Sequence, residues 1–126
     1  MLQAEITDKI IKAFYKVNNT LGYGFLEKVY ENAMTKELRK MGFKVLQQQP
    51  IKVYYDDEVV GEFSADLFVE DTVVVELKSV QHTIKDHELQ LVNYLKGLKR
   101  DIGLLINFSP SGVEVKRKFR RPVQET

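Results

Sequence analysis

The chain contains no cysteine. Disulfide frameworks, thiolate metal sites, iron–sulfur clusters and cysteine nucleophiles are thereby excluded. Histidine is scarce as well: His82 and His87 are the only two, and such a pair could at most assist a zinc site. Apolar runs reach only a handful of residues, so no transmembrane helix is expected. The opening Met1-Leu2-Gln3-Ala4-Glu5 lacks the basic-then-apolar order of a signal peptide. A cytoplasmic protein with no membrane partner is the expectation. There is also no excess of charge of either sign, with 19 basic against 18 acidic residues and a net charge of +1. Whole-chain charge therefore does not point to nucleic acid.

What is present suits one globular domain. The 126 residues leave no room for two ordinary domains and should bury roughly two-thirds of their unfolded surface. Val, Ile, Leu and Phe recur throughout, which excludes disorder as the main state. Charge is uneven locally: Lys116 to Arg121 reads Lys-Arg-Lys-Phe-Arg-Arg. This run fits either a solvated strand end or a phosphate-contacting patch.

Hydrophobic spacing orders the elements. Ile6, Ile10, Phe14, Val17 and Leu21 form one apolar stripe, predicting a helix from residue 6 to about 19. Gly22-Tyr23-Gly24 is a loop. A second helix is expected from about Leu26 to Met41, with a stripe of Leu26, Val29, Tyr30, Ala33, Leu38 and Met41 and with Gly42 closing it. Strand period then begins at Phe43 to Leu46, and Gln47-Gln48-Gln49 and Pro50 interrupt it. Ile51, Val53 and Tyr55 alternate with polar or exposed positions. Asp56-Asp57-Glu58 is a turn leading to Val59-Val60, so a hairpin fits. Strands follow at Phe63 to Val69 and Val73 to Ser79. The run Val73-Val74-Val75 reads as a central strand covered on both faces. A third helix spans about Ile84 to Lys99, Ile102 to Ile106 is a short buried strand, and Val113, Val115 and Phe119 mark a last one after a turn at Ser109 to Gly112. The fold class is α/β of the α+β kind, a mixed sheet flanked by helices.

Glu76 and Lys78 are the informative residues. Two apart on a strand, they share a face of what should be a buried element. Buried charges cost several kcal/mol each unless paired or metal-bound. Asp66 lies on the preceding strand and would face Glu76 if the two strands pair as a hairpin. Two carboxylates held together favour a divalent cation, and oxygen ligands favour Mg²⁺ or Mn²⁺. Spacing alone leaves a partly buried ion pair as an equal reading. The second Glu-x-Lys, Glu114-Val115-Lys116, reads as a solvated face.

Three further motifs join these residues: Gly24-x-x-Glu27-x-x-Tyr30 opening the second helix, Gln90-x-x-x-Tyr94 on one face of the third, and Leu105-Ile106-Asn107-Phe108 at the end of the next strand. In this order, with Asp66…Glu76-x-Lys78, they resemble the PD-(D/E)xK nuclease superfamily, and within it the small proteins named for a GxxExxY motif. The resemblance runs from about Ile6 to Phe119. Ala65 stands where the superfamily name has proline. It implies a restriction-endonuclease-like core, with residues 1–126 as a single PD-(D/E)xK domain. It also implies metal-binding carboxylates at Asp66 and Glu76, completed by the Leu77 carbonyl and by Glu27, directly or through water. Lys78 would orient or deprotonate the attacking water, while Gln90 and Tyr94 would support the site and contact phosphate.

The residues themselves also admit plainer roles. Glu27 suits the first turn of a helix, Tyr30 lies on an apolar stripe, Gln90 could be a surface residue, and Tyr94 could be core. His87 could approach the site, His82 lies in a loop, and Gln47 to Gln49 read as a polar strand edge. The functional expectation is a Mg²⁺- or Mn²⁺-dependent nuclease acting on DNA, with Lys116, Lys118 and Arg120 as phosphate contacts. A homodimer or a partner protein would supply targeting, since no recognition segment stands apart. The alternative is a non-catalytic nucleic-acid- or protein-binding module on the same fold.

Overall fold

The computed structural model describes residues 3–121; Met1 and Leu2, on which the reading of the N-terminus partly rests, lie outside them. The elements are α1 (Gln3–Leu21), α2 (Glu27–Lys40), β1 (Val45–Tyr55), β2 (Glu58–Val69), β3 (Val73–Lys78), α3 (Lys85–Leu98), β4 (Ile102–Ser109) and β5 (Gly112–Phe119). The five strands form one mixed sheet in the order β1-β2-β3-β4-β5. Among the described residues only β3 and β4 run parallel, joined through α3; the other neighbours are antiparallel.

Helices cover both faces. On one side Ile6, Ile10 and Phe14 of α1 and Tyr30, Met34 and Leu38 of α2 pack on Leu67, Val75 and Leu77. On the other, Leu91, Tyr94 and Leu95 of α3 pack on Val74, Phe68 and Leu105. Val73 to Val75 are fully buried, as expected of a strand covered on both faces. Gly42 follows α2 at φ +90°, and the Phe43 N–H returns to the Leu38 carbonyl at 3.1 Å, the left-handed helix ending that glycine favours.

Two expectations change. The buried face of α2 is Tyr30, Glu31, Met34, Thr35 and Leu38, whereas Leu26 and Val29 are exposed. The helix docks along its i, i+4 row Tyr30-Met34-Leu38, which turns Leu26 and Val29 outward and Glu31 inward. The second change concerns Gln47 to Pro50, which do not interrupt the strand. β1 runs through them as an edge strand, where a residue without an N–H is tolerated. β2 likewise starts at Glu58 and continues to Val69, joined to β1 by a turn with Asp56 and Asp57 both at positive φ.

A twist in this hairpin positions the site. Gln48 has φ +54°, and the β1–β2 pairing skips Gln48 and Asp66 between Gln47↔Leu67 and Gln49↔Ala65. Below the break Val45 and Leu67 face α1 and α2; above it Ile51 and Ala65 face α3. The hairpin thus turns over at Gln48 and Asp66. β2 pairs with β3 only from Leu67 to Val69, so beyond Asp66 the β1–β2 hairpin leaves the sheet as a two-stranded arm beside α3.

Candidate active site

Asp66 stands where β2 and β3 part. Continuing the Leu67↔Val75 register would set it opposite Glu76, yet the ladder stops there. Side chains replace the missing backbone bonds. The Asp66 N–H donates to Glu76 Oε1 at 2.9 Å, and the Leu77 N–H donates to Asp66 Oδ2 at 2.8 Å. Each carboxylate is thus fixed by the other residue's strand, and both line one fork. Lys78, half-buried at the end of β3, follows Glu76 on the same strand face, and its charge favours the ionised form of both acids.

The electrostatics are those of an under-compensated anionic pair. Glu76 is 4% exposed. Burial first, then the Asp66 charge, pushes its carboxyl up to about 8, against the opposing Asp66 N–H bond and Lys78. Burial also raises Asp66, opposed by its bonds from Leu77 and Gln48. Tyr94, buried on α3, is raised by burial and by the charges of Glu76 and Asp66, so the third helix brings its phenol within electrostatic reach of the carboxylates.

A second network braces the fork. Glu31, 3% exposed, accepts from Lys28 Nζ at 2.8 Å, Gln47 Nε2 at 2.6 Å and Gln48 Nε2 at 2.5 Å. Gln48 Nε2 also lies 3.3 Å from Asp66 Oδ1. The run does lie on the edge strand, but Gln47 and Gln48 do more than line it: both satisfy a buried carboxylate, and Gln48 links it to Asp66. Sequence reasoning missed Glu31 and Gln48. The one available signal was a triple-Gln run inside a strand-like segment.

The other expected residues divide clearly. Glu27, the first residue of α2, is exposed, and its charge helps to raise Glu76. Its helix is held near the end of β3 by the Ser79 hydroxyl, which donates to the Phe25 carbonyl at 2.8 Å. Among the described residues no group of three or more His, Asp or Glu side chains is arranged to hold a metal, so Glu27 does not join Asp66 and Glu76 in a ready-made three-carboxylate site. Gln90 is exposed on α3. Tyr30 is core: its ring stacks on Phe108 at 3.8 Å and its hydroxyl donates to the Gly22 carbonyl at 2.7 Å. His87 Nδ1 accepts the Ile84 N–H at 3.1 Å, a helix-start contact.

Lys116 and Lys118 reach Glu88 on α3 at 3.2 and 3.0 Å, and Arg120 pairs with Asp101 at 2.7 Å. Lys116 and Lys118 sit on the far-edge strand β5 and Arg120 just beyond it, and all three already have anionic partners. Glu114 is half-buried and accepts from the Thr83 N–H at 3.1 Å and from its hydroxyl, tying down the loop after β3. The expectation of a solvated face there is corrected, because that loop needs acceptors. Buried Asn107 does the same for Val80, whose N–H it accepts at 3.0 Å and to whose carbonyl it donates at 2.9 Å.

A family model described as the PD-(D/E)XK nuclease superfamily matches residues 4–121. The chain belongs to this superfamily. Its mixed five-stranded sheet between helices is a restriction-endonuclease-like α+β fold. Nucleases of the superfamily generally use divalent metals such as Mg²⁺. The crystal structure of SSO0001 is similar in fold, with a TM-score of 0.60 and 16% identity, covering 77% of this chain and 50% of that one. The chain thus spans half the length of that neighbour. No curated protein matches the chain. No helix among the described residues is long and apolar enough to cross a membrane.

Proposed function

We propose that this single domain is a Mg²⁺- or Mn²⁺-dependent nuclease that hydrolyses phosphodiester bonds of DNA, within the GxxExxY branch of the superfamily. The observation that carries the reading is the reciprocal fixing of Asp66 and Glu76 at the β2–β3 fork, with Lys78 on the same strand face. A fold with no use for these charges would gain by losing them, since burial opposes the ionisation of both acids.

The donor set fits a hard divalent cation: two carboxylates that repel each other, beside a strand-end carbonyl. Asp66, Glu76 and the Leu77 carbonyl would hold it, and Glu27 would reach it from the rim, directly or through water. When bound, the cation supplies a lowered water pKa and polarisation of a phosphoryl oxygen. Hydrolysis forms one bond from water oxygen to phosphorus and breaks one bond from phosphorus to the leaving oxygen, which takes up a proton as the attacking water gives one up. Lys78 orients that water and offsets charge growing on the phosphoryl oxygens. Gln90 and Tyr94 support the site and contact substrate phosphate. A second copy of the chain or a partner protein would set the target.

A second reading, a non-catalytic binding module, draws on one observation: no third acidic or histidine side chain completes a metal-ligating group among the described residues. The test is cleavage of single- and double-stranded DNA and RNA with Mg²⁺ or Mn²⁺ beside a Lys78→Ala control. Cleavage by the wild type alone supports the nuclease. No cleavage of any form, together with retained nucleic-acid binding, supports the module.

A further inference from the structure

The arm and α3 enclose a groove of about 800 Å³. Its lining is mostly apolar, and three of its residues are aromatic: Tyr54 and Phe63 from the arm and Tyr94 from α3. The rings of Phe63 and Tyr94 lie 5.7 Å apart. Tyr54 is 61% exposed and Phe63 46% exposed, so large aromatic surface faces solvent inside a concave site. Lys52, Lys96 and Lys99 share the lining, with Asp86 as its one acidic residue. None of the three lysines is held in a salt bridge among the described residues. The groove adjoins the carboxylate fork. Tyr94 lines the groove and shares a buried cluster with Ala65, the residue before Asp66, and the arm that forms one wall springs from Asp66 itself.

We propose that this groove binds single-stranded nucleic acid, with bases stacked on Tyr54 and Phe63 and phosphates on Lys52, Lys96 and Lys99, and leads the strand to the carboxylate fork. The assignment deepens the nuclease reading and rests on it for the role of the fork. Its own basis is the composition of the groove. A duplex turns its phosphates outward and hides its base faces in the stack, so an aromatic, apolar channel offers it little. An unpaired strand presents both faces that the groove can use, π-surface for the rings and phosphate for the lysines. The lysines supply the charge complementarity, and the exposed rings supply stacking that does not depend on sequence. Gly97 helps to shape the floor: a Cβ there would come within 2.5 Å of Ile51 Cγ2, so glycine permits the close approach of α3 and the arm.

The test is fluorescence anisotropy in EDTA, which prevents metal-dependent cleavage, with a labelled oligothymidylate of about 15 nucleotides and a duplex of equal length. The single strand should bind more tightly than the duplex. Tyr54→Ala and Phe63→Ala should each weaken single-strand binding roughly 5- to 150-fold and leave duplex binding unchanged. Phe63→Leu, which keeps apolar bulk, should also lose affinity if stacking is the interaction. Lys96→Gln with Lys99→Gln should flatten the salt dependence by about 1.4 units of slope. Equal affinity for the two forms, aromatic variants that bind like wild type, or a self-association through the arm that Phe63→Ala abolishes would each overturn the proposal. Thermal scans on the same variants separate lost folding from lost binding. Groove-dependent binding without any cleavage in Mg²⁺ or Mn²⁺ would remove the nuclease reading and keep the groove; cleavage by variants with unimpaired binding would do the reverse.

Discussion

Gln48 approaches two acids at once, its Nε2 lying 2.5 Å from Glu31 Oε1 and 3.3 Å from Asp66 Oδ1. It does so from a left-handed backbone, φ +54°, at the residue where the hairpin turns over. The side chain therefore joins α2 to the fork, and the backbone sets the twist that makes the fork. Gln48→Ala should cost about 1–2 kcal/mol of stability, because a buried carboxylate loses a donor, while the left-handed backbone carries a Cβ in both proteins. Gln48→Gly loses the same bond but relaxes the backbone, so it should be the more stable of the two. Urea denaturation of the pair checks this. Equal stability, or Ala above Gly, would separate the twist from the left-handed residue.

Glu76 should make the metal-free protein lose stability as pH rises. Its folded pKa is raised, to about 8 from an unfolded value near 4.5, so the folded state binds the proton more tightly. The stabilising proton is fully present in both states below about 4.5 and is lost as pH climbs through 8. Asp66, also raised, acts in the same direction. Across that window the loss from Glu76 is on the order of 3–5 kcal/mol. Glu76→Gln keeps an acceptor for the Asp66 N–H but cannot ionise. It should match the wild type near pH 5 and exceed it near pH 9 when unfolding is followed in EDTA. Parallel pH profiles for the two proteins would contradict the linkage.

A divalent cation should relieve the same strain. Bound to the folded fork and not to the unfolded chain, it stabilises by mass action, roughly 2.7 kcal/mol at a hundred times its dissociation constant, or a melting shift of roughly 10 °C for a domain of this size. Asp66→Asn should abolish most of that shift while leaving the metal-free protein as stable as wild type or slightly more so. Lys78→Ala should keep the shift and lose cleavage by roughly a hundredfold or more, since the lysine acts on water and phosphate and not as a ligand. A wild-type melting temperature indifferent to millimolar Mg²⁺ and Mn²⁺ would favour the binding module.

How far these features were legible depends on the distance over which they are encoded. The Val73 to Lys78 strand, its two covered faces and the shared face of Glu76 and Lys78 follow from period alone, and Gly42 ends α2 for a reason visible in one residue. The buried face of α2 was misjudged because Leu26 and Val29 are as apolar as Met34. Which row docks is decided by the sheet beneath, through Tyr30 and Phe108, and not by the helix. Glu31 and Gln48 were invisible for a related reason: an acid in a helix and a glutamine in a strand acquire meaning only when the hairpin twist brings them together. The continuity of β1 through Pro50 likewise depends on its place at the sheet edge, which no local pattern states.

The basic strand offers the last prediction. Lys116 and Lys118 read as phosphate contacts in the sequence, yet both ammonium groups donate to Glu88, whose carboxyl they hold below its ordinary range. Half-buried surface pairs of this kind are individually modest, so a nucleic-acid phosphate could displace Glu88, but the release of that carboxylate would offset part of the gain. Lys116→Gln with Lys118→Gln should therefore change the salt slope of single-strand binding by well under the roughly 1.4 units expected for two free lysines, and by less than the same substitution at Lys96 and Lys99. Glu88→Gln removes the competitor and should strengthen binding at low salt, with a slope steeper by up to about 1.4 units. Affinities measured over a salt series for the three variants decide the matter. A full loss of slope in the Lys116 and Lys118 double variant, with none at Lys96 and Lys99, would move the nucleic-acid path from the groove to β5.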